Sequence, residues 1–438
     1  MKRWLVFLLV ISLLICGFSG CGVAGGPAAK ETRVPSEPLI RVPGDSDVSF
    51  LTAEEFHSDR VAGEVSLSFR TSYADFALKL LKASKDQSGR LVSPLSVMTA
   101  LQMVANGAKQ ETLRQFEQLL GGGMDTETLN RELFNYYQSL ANSTQPNARF
   151  EAANAVWMTN DANFEVAQDF VRTISNTFDA QLAQASFADP KTIDAINDWC
   201  DRHTDGMIPK ILEYGDVTEE TIMVLLNAIL FDALWAQGYE SYQCREATFT
   251  TEQGAKKTVT MMRNDESRYI KGKNETGFLK RYQGGFGFVA LLPNQGMSLE
   301  NYLKTLDGAR FTELMDGMQY RTVEASMPKF SFDWSDSLVD TLKALGLEEC
   351  FDPLYSDLSG LGVYNPPRSF SISDVIHKTH IEVDESGTLA AAVTAVAVKG
   401  SAAPETHPQV ILDRPFVYAI VDMTTLLPVF IGTVTNPS

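Results

Sequence analysis

The sequence predicts an α+β fold built as one large domain, and three observations carry that reading. Helix-type periodicity with capping residues dominates the first part of the chain. Apolar runs of strand type dominate the later part. There is no internal repeat, and strands and helices do not alternate in the regular way a parallel βαβ sheet requires. Composition permits such a domain: 438 residues, 44% hydrophobic and 21% charged, are enough for a sizeable core.

Taken in order, residues 1–20 do not belong to the fold. Lys2 and Arg3 form a basic start, and residues 4–15 are an apolar run too short to span a bilayer. Phe18-Ser19-Gly20-Cys21 follows, which resembles a bacterial lipoprotein processing site with Cys21 as the lipidated residue. The alternative is an ordinary secretory signal with a chance cysteine; both place the mature chain outside the cytoplasm. Residues 21–65 carry Pro27, Pro35, Pro38 and Pro43 and no sustained periodicity, the signature of a flexible tether. As a coil its ~44 residues span roughly 35–40 Å.

Residues 66–438 contain no second linker. Phe69, Tyr73, Phe76 and Leu80 recur at helical spacing. Ser93-Pro94 reads as an N-cap and first helical residue with Gly107 as the stop, and Asp189-Pro190 opens a second such helix ending near Gly206. Asp336 is expected to cap a helix that stops at Gly346. Strands are expected at 221–231, 286–292, 323–332, 372–383, 410–421 and 428–434.

Charge and motif content narrow the function. A formal charge of −18 opposes nucleic-acid binding and docking on anionic lipid, both of which need a basic face. Of five cysteines, Cys16 leaves with the signal and Cys21 is the lipidation candidate. Cys200, Cys244 and Cys350 are an odd, widely spaced trio without metal-ligand spacing, expected to be mostly buried free thiols. No nucleophile-elbow or phosphate-binding glycine pattern occurs. Of five histidines, His377 and His380 stand three apart on an expected strand and so face opposite sides, one buried in a hydrogen bond and one exposed rather than a metal pair. The chain is expected not to be an enzyme and to need no cofactor or metal.

The anomaly is residues 388–398, Thr-Leu-Ala-Ala-Ala-Val-Thr-Ala-Val-Ala-Val, with no charge, Gly or Pro, bracketed by Gly387 and Gly400. One reading is a small buried helix or core strand, since alanine favours helix. The other is a strand in waiting. Every second residue, Thr388, Ala390, Ala392, Thr394, Val396 and Val398, is small and mostly apolar, a face able to slide between strands without clashes.

These residues resemble the serpin family, over roughly residues 67–438. Glu385-Ser386-Gly387-Thr388-Leu389-Ala390-Ala391-Ala392 is similar to the family's loop hinge, Glu-x-Gly-Thr-Glu-Ala-Ala-Ala, with Leu389 in place of the usual Glu. Asp413-Arg414-Pro415-Phe416-Val417 and the stretch from Pro428 to Pro437 resemble its closing strands. Ser93-Pro94-Leu95-Ser96-Val97, Gly107-Ala108 and Thr112 resemble its second helix and the segment after it. Asn227 and Trp235 fit its central-sheet strand, and His377-Lys378 precedes the hinge at the family's spacing. The resemblance implies a serpin fold of three β-sheets, about eight or nine helices and an exposed reactive-centre loop. It implies a suicide inhibitor: a protease cuts the loop and is trapped as an acyl-enzyme when the cut loop enters the main sheet. Under it Ser93, Ser96, Asn227 and His377 form a hydrogen-bonded cluster where the sheet opens. Lys329 pairs with Glu385 at the point where the loop goes in, and Trp235 packs there. None of these residues is catalytic.

Family spacing puts the reactive bond seventeen residues from Glu385 counted inclusively, at Ser401–Ala402, with Lys399–Gly400 as the alternative. A small residue before the bond suits elastase- or subtilisin-like serine proteases; cysteine proteases are a further target class. The chain is expected to be a monomer that meets a membrane only through its N-terminal lipid. The competing function is a non-inhibitory serpin acting as a surface binding module. Small, uncharged hinge residues favour inhibition; a lipoprotein hydrolase lacks any visible nucleophile–base set.

Overall fold

Six of the nine α-helices among the described residues begin at a side-chain cap. In the computed structural model, which describes residues 48–51, 61–86, 89–388 and 406–437, Ser66 caps Leu67–Ala83 by accepting from the Phe69 N–H. Phe69, Tyr73, Phe76 and Leu80 form its buried stripe. Ser93 caps the wholly buried helix Pro94–Ala105, and Asp189 caps Pro190–His203. The last ends before Gly206, whose φ of 81° is the left-handed conformation that glycine tolerates.

The described residues form three sheets and nine α-helices. The largest role falls to a seven-stranded sheet of order Ser49–Leu51, Gln181–Ala185, Ala148–Thr159, Met223–Leu234, Gly387–Thr388, Ile376–Val383 and Phe330–Ser337. A nine-stranded sheet holds Phe416–Asp422 and Pro428–Val434 toward one end, with Gly89–Val92 as the edge strand beyond them. A small sheet joins Gly362–Tyr364 to Phe164–Val166. The two large sheets pack on each other through aromatic rings, with Phe231 against Phe286 and Phe330 against Tyr418, each at 5.2 Å between centroids. Such pairs add to the apolar burial that drives the core together.

Several expectations are corrected. The single strand expected at 323–332 is two strands in two sheets, Gln319–Pro328 and Phe330–Ser337, because Pro328 has no N–H to continue the ladder and Lys329 is the lone connector. The run at 410–421 likewise breaks into Gln409–Ile411 and Phe416–Asp422 around Pro415. Asp336 does not cap a helix. It lies within Phe330–Ser337, whose ladder with Ile376–Val383 claims the backbone, and its carboxylate pairs with Lys85 at 2.8 Å. The helix that follows, Val339–Ala344, has no side-chain cap.

The tether is also not uniform. Ser49–Leu51 pairs antiparallel with Leu182–Gln184 at the edge of the seven-stranded sheet. Nearer the domain, the Gly63 N–H donates to Asn135 Oδ1 (2.9 Å) and the Ser66 N–H to Glu132 Oε2 (3.0 Å). Three residues are too few to show periodicity; the partner strand supplies what the sequence lacks. Two long strands went unforeseen, Ala148–Thr159 and Lys256–Lys271, because alanine and alternating charges mask their burial pattern. Cys200 and Cys350 are buried free thiols and Cys244 is half-buried.

Candidate functional site

Between Met223–Leu234 and Ile376–Val383 the seven-stranded sheet has a gap. At its mouth, Gly387–Thr388 sits between the two strands, with Gly387 opposite Leu234, Thr388 opposite Ala233, and Thr388 also opposite Val383. Beyond these two residues neither strand has a partner on that side among the described residues. The approach at the mouth is close enough to demand glycine: a Cβ on Gly387 would lie 2.1 Å from the Ala233 carbonyl oxygen.

The mouth is fixed by backbone and rings. The Trp235 N–H donates to Ser386 O (2.8 Å), its indole Nε1–H to Asp384 O (2.9 Å), and the Tyr239 N–H to Glu385 O (2.9 Å). Asp384 Oδ1 accepts from the Ser386 and Gly387 N–H groups at 2.7 and 3.0 Å, which shapes the turn into the hinge. Trp235 stacks on Tyr282 with centroids 4.2 Å apart, and the Tyr282 hydroxyl bonds Thr388 Oγ1 at 2.7 Å. Lys329 pairs with Glu385, as the resemblance implies. The hydrogen bond from Lys329 holds the Glu385 carboxyl below its ordinary range.

Deeper in, the gap narrows to a cavity of about 30 Å³. Asn227, Ile229 and Phe231 line one wall, His377, Thr379 and Ile381 the other, with Ser93 and Ser96 against it. All four residues of the expected cluster meet here. The Ser93 N–H donates to His377 Nε2 (3.0 Å), and Ser93 Oγ donates to Val429 O (2.9 Å) while accepting from the Ser96 N–H (3.3 Å). Ser96 Oγ donates to Asn227 O (3.4 Å), and Asn227 Nδ2 to Asn154 Oδ1 (2.5 Å). Among the described residues Asn227 Oδ1 is buried without a hydrogen-bond partner. His377 is 5% exposed and burial pushes its pKa down to about 4, so its imidazole is neutral and accepts. His380, on the opposite face, bonds Asp333 Oδ1 at 2.8 Å.

The helix cap role and the cluster role of Ser93 thus coexist in one side chain. Asp384, Tyr239 and Tyr282 escaped the reading of the sequence; the Asp-x-x-Gly spacing of Asp384 to Gly387 is the one local signal that marks such a turn. Ala390, Ala391, Ala392, Lys399, Gly400, Ser401 and Ala402 lie outside the described residues, as does Cys21.

Comparison with known proteins agrees with this geometry. Residues 71–437 match the family model described as Serpin (serine protease inhibitor). The chain is 30% identical to a leukocyte elastase inhibitor of Sus scrofa over 83% of its own length and 97% of that protein's. It is 29% identical to Iripin-5 of Ixodes ricinus, over 82% and 93% respectively. Among solved structures it resembles the thermophilic serpin tengpin. In that protein's native state the TM-score is 0.80 at 38% identity, covering 86% of this chain and 96% of that one. In its latent state the TM-score is 0.74 at 36% identity, covering 86% and 100%. With the family model spanning most of its length, its three sheets in place and the hinge seated at the mouth of the gap, the chain belongs to the serpin family.

Proposed function

We propose that this serpin is a suicide-type inhibitor of serine proteases, in which the cut loop enters the gap as a new strand. One observation carries the reading: the hinge already pairs with both walls at the mouth, and the register it sets fits the rest of the loop. Each step forward along the loop is one step back along either wall. Residues 387–398 therefore match the full length of Met223–Leu234, and residues 388–395 that of Ile376–Val383.

The facing of that strand supports the same conclusion. Thr388 is 3% exposed and turns its hydroxyl to Tyr282, so alternate residues from Thr388 onward face the core. In this register Ala390 and Ala392 come opposite Phe231 and Ile229, where large side chains have no room. Thr394, the second polar residue of that face after Thr388, comes level with Asn227 on one wall and His377 on the other. Its hydroxyl would serve the unpartnered Asn227 Oδ1. Strand pairing and apolar burial withheld before cleavage then drive insertion. In our reading Ser93, Ser96, Asn227 and His377 govern the opening, and Lys329, Glu385 and Trp235 the mouth.

We further propose Ser401–Ala402 as the reactive bond, with Lys399–Gly400 as the alternative, elastase- or subtilisin-like enzymes as targets, and Cys21 as a lipid anchor on an extracytoplasmic protein. The test is incubation of the mature protein with elastase-, subtilisin-, trypsin- and papain-like proteases, followed by denaturing gels. A covalent complex is expected, and mass spectrometry of the released C-terminal peptide locates the bond. Clean cleavage without complex by every protease overturns the inhibitory reading.

A further inference from the structure

Beneath the mouth of the gap lies a buried ion pair, Lys280 with Glu266. Lys280, on the strand Glu275–Arg281, has a side chain 1% exposed, and its partner Glu266 is 12% exposed. The ammonium donates to Glu266 Oε1 (3.0 Å) and to Gln237 O (2.9 Å). It also lies 4.2 Å from the centre of the Tyr239 ring and 5.2 Å from that of Trp235. Burial pushes the Lys280 pKa down and the Glu266 pKa up, each against the pull of the other.

An ion pair of this kind is a poor source of stability, because desolvation offsets the attraction and an apolar pair of similar size serves folding as well. What it supplies is position. Lys280 ties its own strand and Lys256–Lys271 to the segment 235–239. That segment donates the three hydrogen bonds that grip the carbonyls of Asp384, Glu385 and Ser386. Through the Trp235–Tyr282 stack it also reaches the hydroxyl contact on Thr388. From the ammonium to the hinge there is one intervening residue by the first route and two by the second.

We propose that the Lys280–Glu266 pair is a latch, which fixes the segment 235–239 and so sets how readily a strand enters the gap before the loop is cut. Lys280 and Glu266 are positioning residues in this scheme, acting through Trp235 and Tyr239. The proposal rests on the reading that the gap accepts a strand.

The experiment uses the full uncut chain and a synthetic peptide of residues 388–398, with uptake followed on native gels and the melting temperature of each protein recorded. In the double variant Lys280→Met/Glu266→Met no charge is left unpaired, so the intact protein is expected to melt at or above the wild-type temperature. Its peptide uptake is expected to be about fivefold to tenfold faster, the effect of losing one modest fixing interaction. Lys280→Gln/Glu266→Gln, which also leaves no unpaired charge but can keep a hydrogen bond between the two side chains, is expected to fall between the two and serves if the first double variant does not fold. Uptake at the wild-type rate overturns the latch, and so does faster uptake that merely tracks a fall in melting temperature. A wild-type protein that takes up no peptide overturns the strand-accepting reading beneath it, a different failure.

Discussion

The mouth and the middle of the gap are closed by different chemistry. At the mouth, three N–H donors from Trp235 and Tyr239 hold backbone carbonyls of residues 384–386, and stacked rings lie beneath. In the middle, among the described residues, the two walls are not paired with each other, and serine, asparagine and histidine side chains bond one another against a small cavity. In the proposed insertion the mouth precedes the inserting residues, so its contacts would persist. The middle would instead exchange its contacts for those of a new strand. One region is a pivot and the other a door.

Thr388 stands at the boundary and offers the largest effect. Thr388 is already buried between the two walls in the uncut chain, so Thr388→Arg places a guanidinium at the mouth and in the path of every residue that follows, a cost that an unpaired charge cannot recover there. The variant is expected to be cut normally and to form no covalent complex. Complex at the wild-type level on denaturing gels would contradict the inward facing of Thr388 and with it the division of the gap.

His377 probes the door. Its neutral ring accepts from Ser93, and its pKa of about 4 lies below the ordinary histidine value of 6.5. Below pH 6.5 the unfolded chain takes up a proton that the folded chain refuses. Stability from this residue is therefore complete above that pH and is lost as pH falls toward 4, by roughly 3 kcal/mol in total. The urea midpoint is expected to drop between pH 7.5 and 4.5, and His377→Gln to reduce that drop. An unchanged drop in the variant assigns the acid sensitivity elsewhere.

The smallest effect is expected at the rim of the pivot. Lys329 and Glu385 are both half-exposed, and an ion pair in such a setting is worth about 1 kcal/mol or less. Lys329→Ala should shift the melting temperature by a few degrees at most, about 4 °C or less for a chain of this size. A larger shift would mean that the pivot depends on its rim rather than on Trp235 and the rings below.

Much of this site could be read from the chain because its signals are local. Ser93-Pro94 announces a helix start wherever it occurs, and small residues after Gly387 announce a strand that can slide. His377 and His380 were separable by the two-residue period of a strand alone. The remainder is tertiary. Lys280 follows Gly277-Phe278-Leu279 and looks like any lysine at the solvent end of a strand; only the packing of segment 235–239 over it makes it buried. The break at Lys329 was illegible for the same reason, since apolar residues continue on both sides and the change is one of sheet, not of polarity. Ser49–Leu51 acquires meaning only from the edge it covers.

The place of Pro428–Val434 bears on how the protein is made. This strand lies inside the nine-stranded sheet, between Phe416–Asp422 and Gly89–Val92, and the Val429 carbonyl accepts from a serine 336 residues earlier. During synthesis the sheet cannot close until those last residues have left the ribosome. Until then Gly89–Val92 and the helix Pro94–Ala105 lack the strand that covers them, and uncovered apolar surface of this kind is prone to aggregation.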